Sequence, residues 1–419
     1  MMKESIHIVN FGGLKNVLFE LKRVNILIGP QASGKSVSAK LVYFFKNFPR
    51  DITLSIANGD TRRNLDAKQK EKFKRYFPID SWPKSGFKIE YKINKSFIIV
   101  EKNGTKKLAF SYSDDFKGMF DETRKFFKAE QKRQLDVPNN VNNASWLITN
   151  DQFYKTLDST VSPIASNLHF FIPAGRSFFA NLQSNIYAFL SENKQIDPFL
   201  IEFGKLYENF KGVASRKDNE QQTKQDLQFT KLVSEILNGE YLREKDKDFI
   251  YHKDDRKVNL AHASSGQQEI LPMLLILKAI NEPRFSLDGV TLYIEEPEAH
   301  LFPTAQKKIV HLLASTFNSL GKNFQIIITT HSPYILSSFN NILEAGKIIE
   351  EQPNKAKDVK KVIPENEVIN PKDLVAYAVS HGKVKVIMDK ETQLISDNVI
   401  DSVSDEIAIS FGKLLDIEF

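Results

Sequence analysis

The chain has 419 residues, and its 58 lysines and arginines outnumber its 52 aspartates and glutamates, which gives a formal net charge of +6. This length predicts two or three structural units, or one large domain that carries an insertion. The chain contains no cysteine, which excludes disulfides, thiolate zinc sites, iron–sulfur clusters and cysteine nucleophiles. Its first residues lack the apolar core of a signal peptide, and no apolar run is long enough to span a bilayer. We therefore expect a soluble, cytoplasmic protein without a membrane partner.

The pattern of the first 112 residues predicts a strand, a turn, a second strand, a loop and a helix, followed by three further β-like runs. The runs with strand character occupy residues 6–11, 24–28, 87–91, 96–100 and 108–112. Asn103-Gly104 stands between the last two runs and is a strong hairpin signal. The apolar spacing after Ser36 is helical, so a helix follows the strand at 24–28 after a short loop.

The rest of the chain changes pattern near residues 113, 241 and 341. Residues 113–240 are charged and mostly helical in pattern, with one short apolar run at 169–172. From 241 to 340, apolar strands alternate with helices, which favours a mostly parallel, buried sheet. Residues 341–419 contain one further α/β-like piece and a closing helix.

A phosphate-binding loop is the strongest motif in the sequence. Residues 29–36 read Gly-Pro-Gln-Ala-Ser-Gly-Lys-Ser and match G-x-x-x-x-G-K-[ST], with a strand before them and a helix behind. In such a loop successive N–H groups point at a phosphate, and the helix N-terminus adds a partial positive charge. Lys35 would bridge the β- and γ-phosphates, and the Ser36 hydroxyl would bind Mg²⁺. The predicted ATP-binding residues of the loop are Gly29, Gln31, Ala32, Ser33, Gly34, Lys35 and Ser36.

Two adjacent carboxylates follow the apolar run Leu292-Tyr293-Ile294. Glu295 and Glu296 therefore lie at the carboxyl end of a predicted strand, the edge at which open α/β folds bind ligands. One carboxylate can hold the Mg²⁺ shell, and the next can orient or deprotonate an attacking water. The alternative is an acidic strand end that only meets solvent.

Two weaker elements accompany these motifs. Ser264-Ser265-Gly266-Gln267 precedes a predicted helix, where Ser264 has the character of an N-cap; by itself this turn favours an ordinary capped helix over an anion site. His331 lies in Thr329-Thr330-His331-Ser332-Pro333, which directly follows the predicted strand 324–328. A lone histidine is usually a packed or surface residue, but at this edge it could contact a γ-phosphate.

The order of these four elements resembles that of the ABC-type ATPases, and within them the SMC, RecF and OLD (overcoming lysogenization defect) group. Residues 292–303, Leu-Tyr-Ile-Glu-Glu-Pro-Glu-Ala-His-Leu-Phe-Pro, and 328–336, Ile-Thr-Thr-His-Ser-Pro-Tyr-Ile-Leu, look most like the OLD branch. Many members of that branch are prokaryotic phage-defence ATPases. The resemblance covers both ends of residues 1–340 and is thin between 113 and 240.

The resemblance implies an α/β fold, a P-loop ABC-type ATPase head with a mixed β-sheet, flanking helices and a mostly helical middle insertion. The implied units are an amino-terminal ATPase lobe at 1–112, the insertion at 113–240, a second ATPase lobe at 241–340 and a small α/β extension at 341–419. It further implies ATP hydrolysis with Mg²⁺ and a homodimer or higher oligomer that holds ATP between two heads.

The resemblance also implies a role for each matching residue. Lys35 and Ser36 bind ATP and Mg²⁺, Glu295 is the metal-associated carboxylate, and Glu296 is the catalytic carboxylate. His331 matches the switch histidine. The matches to the signature loop, which touches the γ-phosphate of the opposite protomer, are Ser264, Gly266 and Gln267. Residues 298–301, Glu-Ala-His-Leu, match the loop that couples the two sites.

Some positions depart from the family pattern. Ser265 replaces the first glycine of the signature, and Glu295 replaces an aspartate, so turnover could be slow. The family's glutamine loop has no clear match: Gln183 is the first choice and Gln152 a poorer one. Arg176, in Pro-Ala-Gly-Arg, could reach a phosphate, or could equally be a surface or salt-bridged arginine.

Absent features limit the function further. The acidic cluster of the Toprim nuclease domain, found in longer relatives, has no counterpart in 341–419, where no Asp-x-Asp occurs. Lysine-rich segments at 68–75 and 125–133 could contact nucleic acid, but such runs are more often solvated helix faces, and acidic neighbours dilute them.

We therefore expect an ATPase that oligomerises with ATP and regulates a separately encoded effector, a nuclease or toxin, in antiphage defence. The first alternative is a RecF- or SMC-like DNA-binding ATPase in DNA repair or maintenance. The nucleotide-binding subunit of a transporter and a P-loop kinase are further alternatives. A P-loop kinase does not require the Ser264 turn or His331. The long charged insertion argues against a transporter subunit.

Overall fold

The computed structural model describes residues 3–135, 144–181, 196–214, 224–245, 247–282, 289–396 and 402–418. The strands are β1 (Glu4–Phe11), β2 (Leu14–Leu21), β3 (Val24–Ile28), β4 (Gly86–Ile93), β5 (Ser96–Asn103), β6 (Ala109–Tyr112), β7 (Leu168–Ile172), β8 (Glu240–Glu244), β9 (Lys247–Tyr251), β10 (Lys257–Asn259), β11 (Val290–Glu295), β12 (Phe324–Thr330), β13 (Leu374–Ser380) and β14 (Lys383–Val386). The α-helices are α1 (Lys35–Lys46), α2 (Phe48–Ala57), α3 (Arg62–Tyr76), α4 (Asp114–Leu135), α5 (Ala144–Thr160), α6 (Phe178–Asn181), α7 (Pro198–Ala214), α8 (Lys224–Leu237), α9 (Ser265–Ile280), α10 (Pro303–Ser319), α11 (Pro333–Glu351), α12 (Ala356–Val362) and α13 (Ser402–Glu418). Among these described helices, none is long and apolar enough to cross a membrane.

The main sheet has six strands in the order β14-β13-β3-β12-β11-β7. Neighbouring strands from β13 to β7 are parallel, and only β14 runs antiparallel. Every residue of β3, β11 and β12 is buried, because helices or the second sheet cover both faces. The mixed sheet with flanking helices confirms the predicted fold class, and residues 113–240 are mostly helical as expected.

One face of the main sheet packs on α1 and on a second, antiparallel sheet. That sheet has the order β2-β1-β4-β5-β6, and its core includes Leu27, Tyr293 and Ile327 of the main sheet. The other face, with Ile26 and Leu292, packs on α9, α10 and α11. A third small sheet, β10-β9-β8, lies before the Ser264 turn in the chain.

The main sheet takes strands from all four sequence segments. β3 comes from 1–112, β7 from 113–240, β11 and β12 from 241–340, and β13 and β14 from 341–419. The sheet therefore crosses each proposed boundary, and the division into four units remains a prediction about domains.

A buried polar network holds α1 between the two sheets. The Nζ atom of Lys46, at the end of α1, lies 2.7 Å from Oε1 of Glu4, and both side chains are almost completely buried. Tyr91 donates to the same oxygen at 2.6 Å, and Gln325 donates to Glu4 Oε2 at 2.8 Å. Burial lowers the pKa of Lys46, and the charge of Glu4 raises it. The network joins β1, β4 and β12 to the helix that follows the phosphate loop.

Candidate nucleotide-binding site

The predicted site residues follow four parallel strands that end at the same edge of the main sheet. Ile28 of β3 pairs with Thr330 of β12, and Glu295 of β11 pairs with Thr329. Ile172, the last residue of β7, pairs with the neighbour of Glu295. Loops behind the carboxyl ends of parallel strands form the ligand-binding crevice of open α/β sheets. The residues carried behind these strand ends are Gly29, His331, Glu296 and Arg176.

The phosphate loop follows β3 and leads into α1, as the sequence predicts. Gly29 has φ 159°, and a Cβ added there would lie 2.0 Å from the carbonyl oxygen of Val379 in β13. Only glycine fits this position, because β13 lies directly beside the loop. No side chain caps the start of α1, so its first N–H groups are left to a ligand or to solvent.

Lys35 folds over its own loop. Its Nζ atom donates to the carbonyl oxygens of Gly29 and Pro30, each at 2.7 Å. Burial lowers the pKa of the Lys35 ammonium, while Glu296 and Glu298 raise it. These two carboxylates lie in the loop behind β11. The positive charge of the phosphate loop and the negative charge of the β11 loop therefore interact across the edge of the sheet.

Glu295 has the properties of a carboxylate that meets a metal ion. It is 5% exposed; its Oε2 accepts the N–H of Ala174 at 3.3 Å, and its Oε1 is buried with no hydrogen-bond partner among the described residues. Burial raises the pKa of Glu295, whereas Lys40, the Ala174 N–H and the nearby Ser36 hydroxyl lower it. A buried, unpaired carboxylate oxygen beside a serine hydroxyl fits Mg²⁺, which takes few protein ligands and completes its shell with water and substrate phosphates. Among the described residues, no group of three or more His, Cys, Asp or Glu side chains could hold a metal ion.

Glu296 and His331 face each other across the strand ends. The Nε2 atom of His331 lies 3.2 Å from Oε1 of Glu296, and about a third of each side chain is exposed. Glu296 has φ 46°, in the left-handed region that is costly for a residue with a Cβ, and its N–H donates to Thr329 O at 2.8 Å. This backbone conformation lets Glu295 point inward while the next residue meets solvent. Glu298 supports the histidine, because its Oε1 accepts the N–H of His331 at 2.7 Å.

Arg176 is completely buried and forms an ion pair with Glu269, which agrees with the salt-bridged role among those that the sequence left open. Its guanidinium donates to the carbonyl oxygens of Glu295 at 2.8 Å, Glu296 at 3.1 Å and Glu269 at 3.1 Å. Its Nε also lies 3.3 Å from the Glu269 carboxylate. Burial lowers the pKa of Arg176, and the surrounding glutamates, Glu269 first, raise it. The sequence left a salt-bridged arginine open but could not name the partner, because Glu269 lies 93 residues away in the chain.

The Ser264 turn (residues 264–267) lies at the start of α9; Ser264 and Ser265 are exposed, and Gly266 and Gln267 are half-buried. Ser264 caps the helix, and its side chain and the Gln267 side chain form a capping box. Gln267 also donates to the carbonyl of Leu237 at 2.9 Å. A Cβ added at Gly266 would lie 2.8 Å from the carbonyl oxygen of His300. None of these contacts joins the turn to the phosphate loop of the same chain.

The structure gives a position for one of the two glutamine-loop candidates. Gln183 lies outside the described residues, and Gln152 is exposed on α5, which packs against α4. The segment behind β7 contributes Ala174 and Arg176 instead.

A phosphate loop that meets paired glutamates and a histidine at one sheet edge defines an ATPase of the P-loop class. The chain belongs to the AAA-domain family AAA_21, whose description also names the AbiEii toxin and the type IV TA system. The family model matches residues 24–337. This range includes the phosphate loop, the Ser264 turn, both glutamates and His331.

Solved structures with similarity to the chain include heads of SMC proteins and a RecF protein. The SMC head domain from Thermotoga maritima is 12% identical, with 92% of this chain and 98% of that chain covered and a TM-score of 0.38. The Smc head domain with a coiled coil and joint from Pyrococcus yayanosii is 10% identical, with 96% and 100% covered and a TM-score of 0.41. The recombination mediator RecF, titled as RecF-ATPrS, is 12% identical, with 92% and 98% covered and a TM-score of 0.34. No curated protein sequence matches the chain.

Proposed function

We propose that this protein is an ATP-driven oligomerisation switch. ATP bound by residues 29–36 of one copy is completed by the Ser264 turn of a second copy, and hydrolysis separates the copies. The observation that carries this proposal is the Ser264 turn: Ser264 and Ser265 are exposed at the capped start of α9, and none of the hydrogen bonds described for the turn goes to the phosphate loop of the same chain. An anion-binding helix start that faces outward can serve a phosphate held by another molecule.

The chemistry is assigned to residues at the sheet edge. Lys35 leaves the carbonyls of its loop and neutralises the β- and γ-phosphates. Glu296 accepts the proton of the attacking water, and His331, which already contacts Glu296, donates to a γ-phosphate oxygen. Glu298 keeps His331 in place through the histidine N–H. Such a base and a phosphate contact each contribute roughly 10²- to 10⁴-fold to rate.

Mg²⁺ is assigned to Ser36 and Glu295. When bound, the ion neutralises charge on the β- and γ-phosphate oxygens. Glu295 offers it a buried oxygen without a hydrogen-bond partner among the described residues, and Ser36 offers the nearby hydroxyl that follows the phosphate-loop lysine.

We further propose that the switch regulates a separately encoded effector, a nuclease or toxin, in prokaryotic antiphage defence. Two observations support this role: the OLD-like motifs at 292–303 and 328–336, and the toxin–antitoxin system named in the family description. The competing RecF- or SMC-like DNA-binding role lacks a clear basic surface, because several of the lysines invoked for it are paired. Lys68 pairs with Asp60, and Lys72 with Asp51 at 2.6 Å.

The mass of the protein in solution, with and without ATP and Mg²⁺, tests the switch. We expect Glu296→Gln to bind ATP, to hydrolyse it at least about a hundredfold more slowly and to accumulate as an oligomer of at least twice the monomer mass. Lys35→Ala should stay monomeric under the same conditions. An unchanged mass for Glu296→Gln, at ATP concentrations that saturate binding, would remove the sandwich mechanism.

Complementation between two inactive variants tests whether the site is shared. Lys35→Ala loses the lysine of its phosphate loop but keeps its Ser264 turn. Ser264→Arg keeps its phosphate loop but has a disrupted Ser264 turn. Each alone should be inactive, while their mixture should regain activity, up to about a quarter of the wild-type value if the two sites act independently and less if they are coupled, since half of the dimers are mixed and each holds one complete site. DNA added to the wild-type protein separates the alternative: hydrolysis that rises with DNA and falls steeply with salt would support the repair role.

A further inference from the structure

Arg176 connects two parts of the chain that serve different nucleotides under the proposed function. On one side it holds the carbonyl oxygens of Glu295 and Glu296, at the end of β11. On the other side it holds the carbonyl and carboxylate of Glu269, in the first turns of α9. Glu296 acts on the ATP of its own chain, whereas the Ser264 turn at the start of α9 acts on the ATP of the second copy.

The connection is short, buried and hydrogen-bonded throughout. Arg176 is 0% exposed and Glu269 is 1% exposed. The Glu269 carboxylate also accepts the backbone N–H groups of Arg176 at 3.0 Å and Ser177 at 2.9 Å, so the segment behind β7 moves with α9. Packed interiors transmit a displacement instead of absorbing it.

The far end of this connection is sensitive to small movements. Glu296 is held in a left-handed conformation, and Arg176 binds the carbonyl of that same residue. A strained backbone persists only while its surroundings hold it, so a shift of α9 changes how well Glu296 is aimed. A planar guanidinium can serve these acceptors at once, which a lysine ammonium cannot do with the same geometry.

We propose that Arg176 and Glu269 form a positioning pair that couples the two ATP sites of the oligomer. When the Ser264 turn of one copy engages the γ-phosphate held by its neighbour, α9 transmits that engagement through Glu269 and Arg176 to Glu296 of the same copy. Each copy then hydrolyses its own ATP efficiently only while it also completes the other site. This inference rests on the proposed switch and adds its regulation.

The test uses Arg176→Lys and Glu269→Gln in the full-length protein. The rate of ATP hydrolysis is measured against ATP concentration, and binding of a fluorescent ATP analogue and ATP-dependent mass are measured in parallel. For the wild type we expect a Hill coefficient that approaches 2; for each variant we expect a value near 1 and a kcat at least about tenfold lower. The dissociation constant of the analogue should change by less than about threefold, because the phosphate loop is untouched.

Two further variants separate positioning from a general loss of structure. Arg23→Lys removes another partly buried guanidinium, one that binds the Gly321 carbonyl and lies 3.5 Å from Asp373 at the opposite edge of the sheet, and it should keep wild-type cooperativity. The double variant Arg176→Lys/Glu269→Gln should be no slower than the slower single variant, since the two residues act as one unit. Thermal unfolding of all variants identifies any that are misfolded.

The outcomes distinguish this inference from the proposed function. If the wild type neither gains mass with ATP nor hydrolyses it, the switch itself is wrong. If the wild type oligomerises and hydrolyses ATP, and either its own Hill coefficient is 1 or Glu269→Gln keeps wild-type kcat and cooperativity, the coupling role is wrong while the switch stands. Parallel loss of analogue binding and of the unfolding transition in both single variants would reduce the pair to a structural role and overturn the inference.

Discussion

Gly266 lies against the backbone of His300, so close that an added Cβ would come 2.8 Å from the His300 carbonyl oxygen. This contact joins the Ser264 turn to the loop behind β11 within one chain. His300 itself has φ 59°, a left-handed conformation that leaves its backbone little freedom to move away. The turn and the loop are therefore fitted to each other within one chain.

Gly266→Ala should weaken ATP-dependent oligomerisation without abolishing ATP binding. The added methyl group pushes the turn away from His300, while the phosphate loop is unaffected. We expect at least about a tenfold higher protein concentration for half-maximal assembly, measured by mass in solution with ATP. Gly118→Ala is the matched control, because nothing lies within 4 Å of its added Cβ. Assembly of Gly266→Ala at the wild-type concentration would contradict the importance of this contact.

Glu295→Gln should stabilise the protein without metal and remove its response to Mg²⁺. Burial raises the pKa of Glu295, so at neutral pH its ionised form costs folding free energy that a neutral glutamine does not. The stability that Glu295 contributes is greatest below its unfolded pKa and falls as the pH rises through the higher folded pKa. In thermal unfolding with EDTA, the melting temperature of Glu295→Gln should therefore exceed that of the wild type by an amount that grows from pH 4 to pH 8.

The same carboxylate should make Mg²⁺ binding pH-dependent. Protons and Mg²⁺ compete for Glu295, so the stabilisation by Mg²⁺ and ATP should weaken as the pH falls through the raised pKa. Glu351→Gln, at the exposed end of α11, should show neither effect. Equal stabilisation of Glu295→Gln and the wild type by Mg²⁺ and ATP would show that Glu295 does not bind the metal ion.

Lys46→Met should destabilise the fold strongly, because it leaves Glu4 buried without its cation. Loss of one partner of a buried ion pair typically costs 3 to 5 kcal/mol, and we expect about that loss in urea unfolding at pH 7. Lys74→Met removes an exposed partner of Glu71 and should change the midpoint little. Similar midpoints for the two variants would show that the network at Glu4 is dispensable.

Removal of residues 341–419 should prevent folding of the ATPase sheet. β13 pairs with β3 along Leu374–Ala378, and the carbonyl of Val379 lies against Gly29, so the truncated chain exposes the strand before the phosphate loop. Removal of 402–419 alone should be tolerated, since none of the α13 side chains whose burial is described belongs to the core, and Ile409, Phe411 and Leu414 are exposed. We expect a cooperative unfolding transition and ATP binding only in the shorter deletion; both properties in the longer one would establish 341–419 as a separate unit.

Local patterns predicted much of the fold and of the site. The phosphate loop, the strand before it and the helix behind it are where the sequence puts them, because all three lie within 23 residues of chain. The Asn103-Gly104 signal marks a true pairing of β5 with β6. The fold class is confirmed, and the strand ends bring Glu296 and His331 together as the parallel alternation predicts.

Contacts between distant segments could not be predicted from patterns. The ion pair of Arg176 with Glu269 depends on where α9 packs. The pairing of β13 with β3 depends on which strand of the chain packs beside β3 in the folded sheet. A buried arginine and an exposed one have the same letter in a sequence, and only the tertiary fold supplies the acceptors that distinguish them.

The position of β3 has a consequence for how the protein is made. Val24 and one of its sheet partners, Leu374, are synthesised 350 residues apart. At bacterial and eukaryotic elongation rates this delay lasts roughly 20 to 70 seconds. During that interval β3, the strand before the phosphate loop, lacks its neighbour β13, so the nascent chain cannot complete the main sheet around that loop until Leu374–Ala378 has been made.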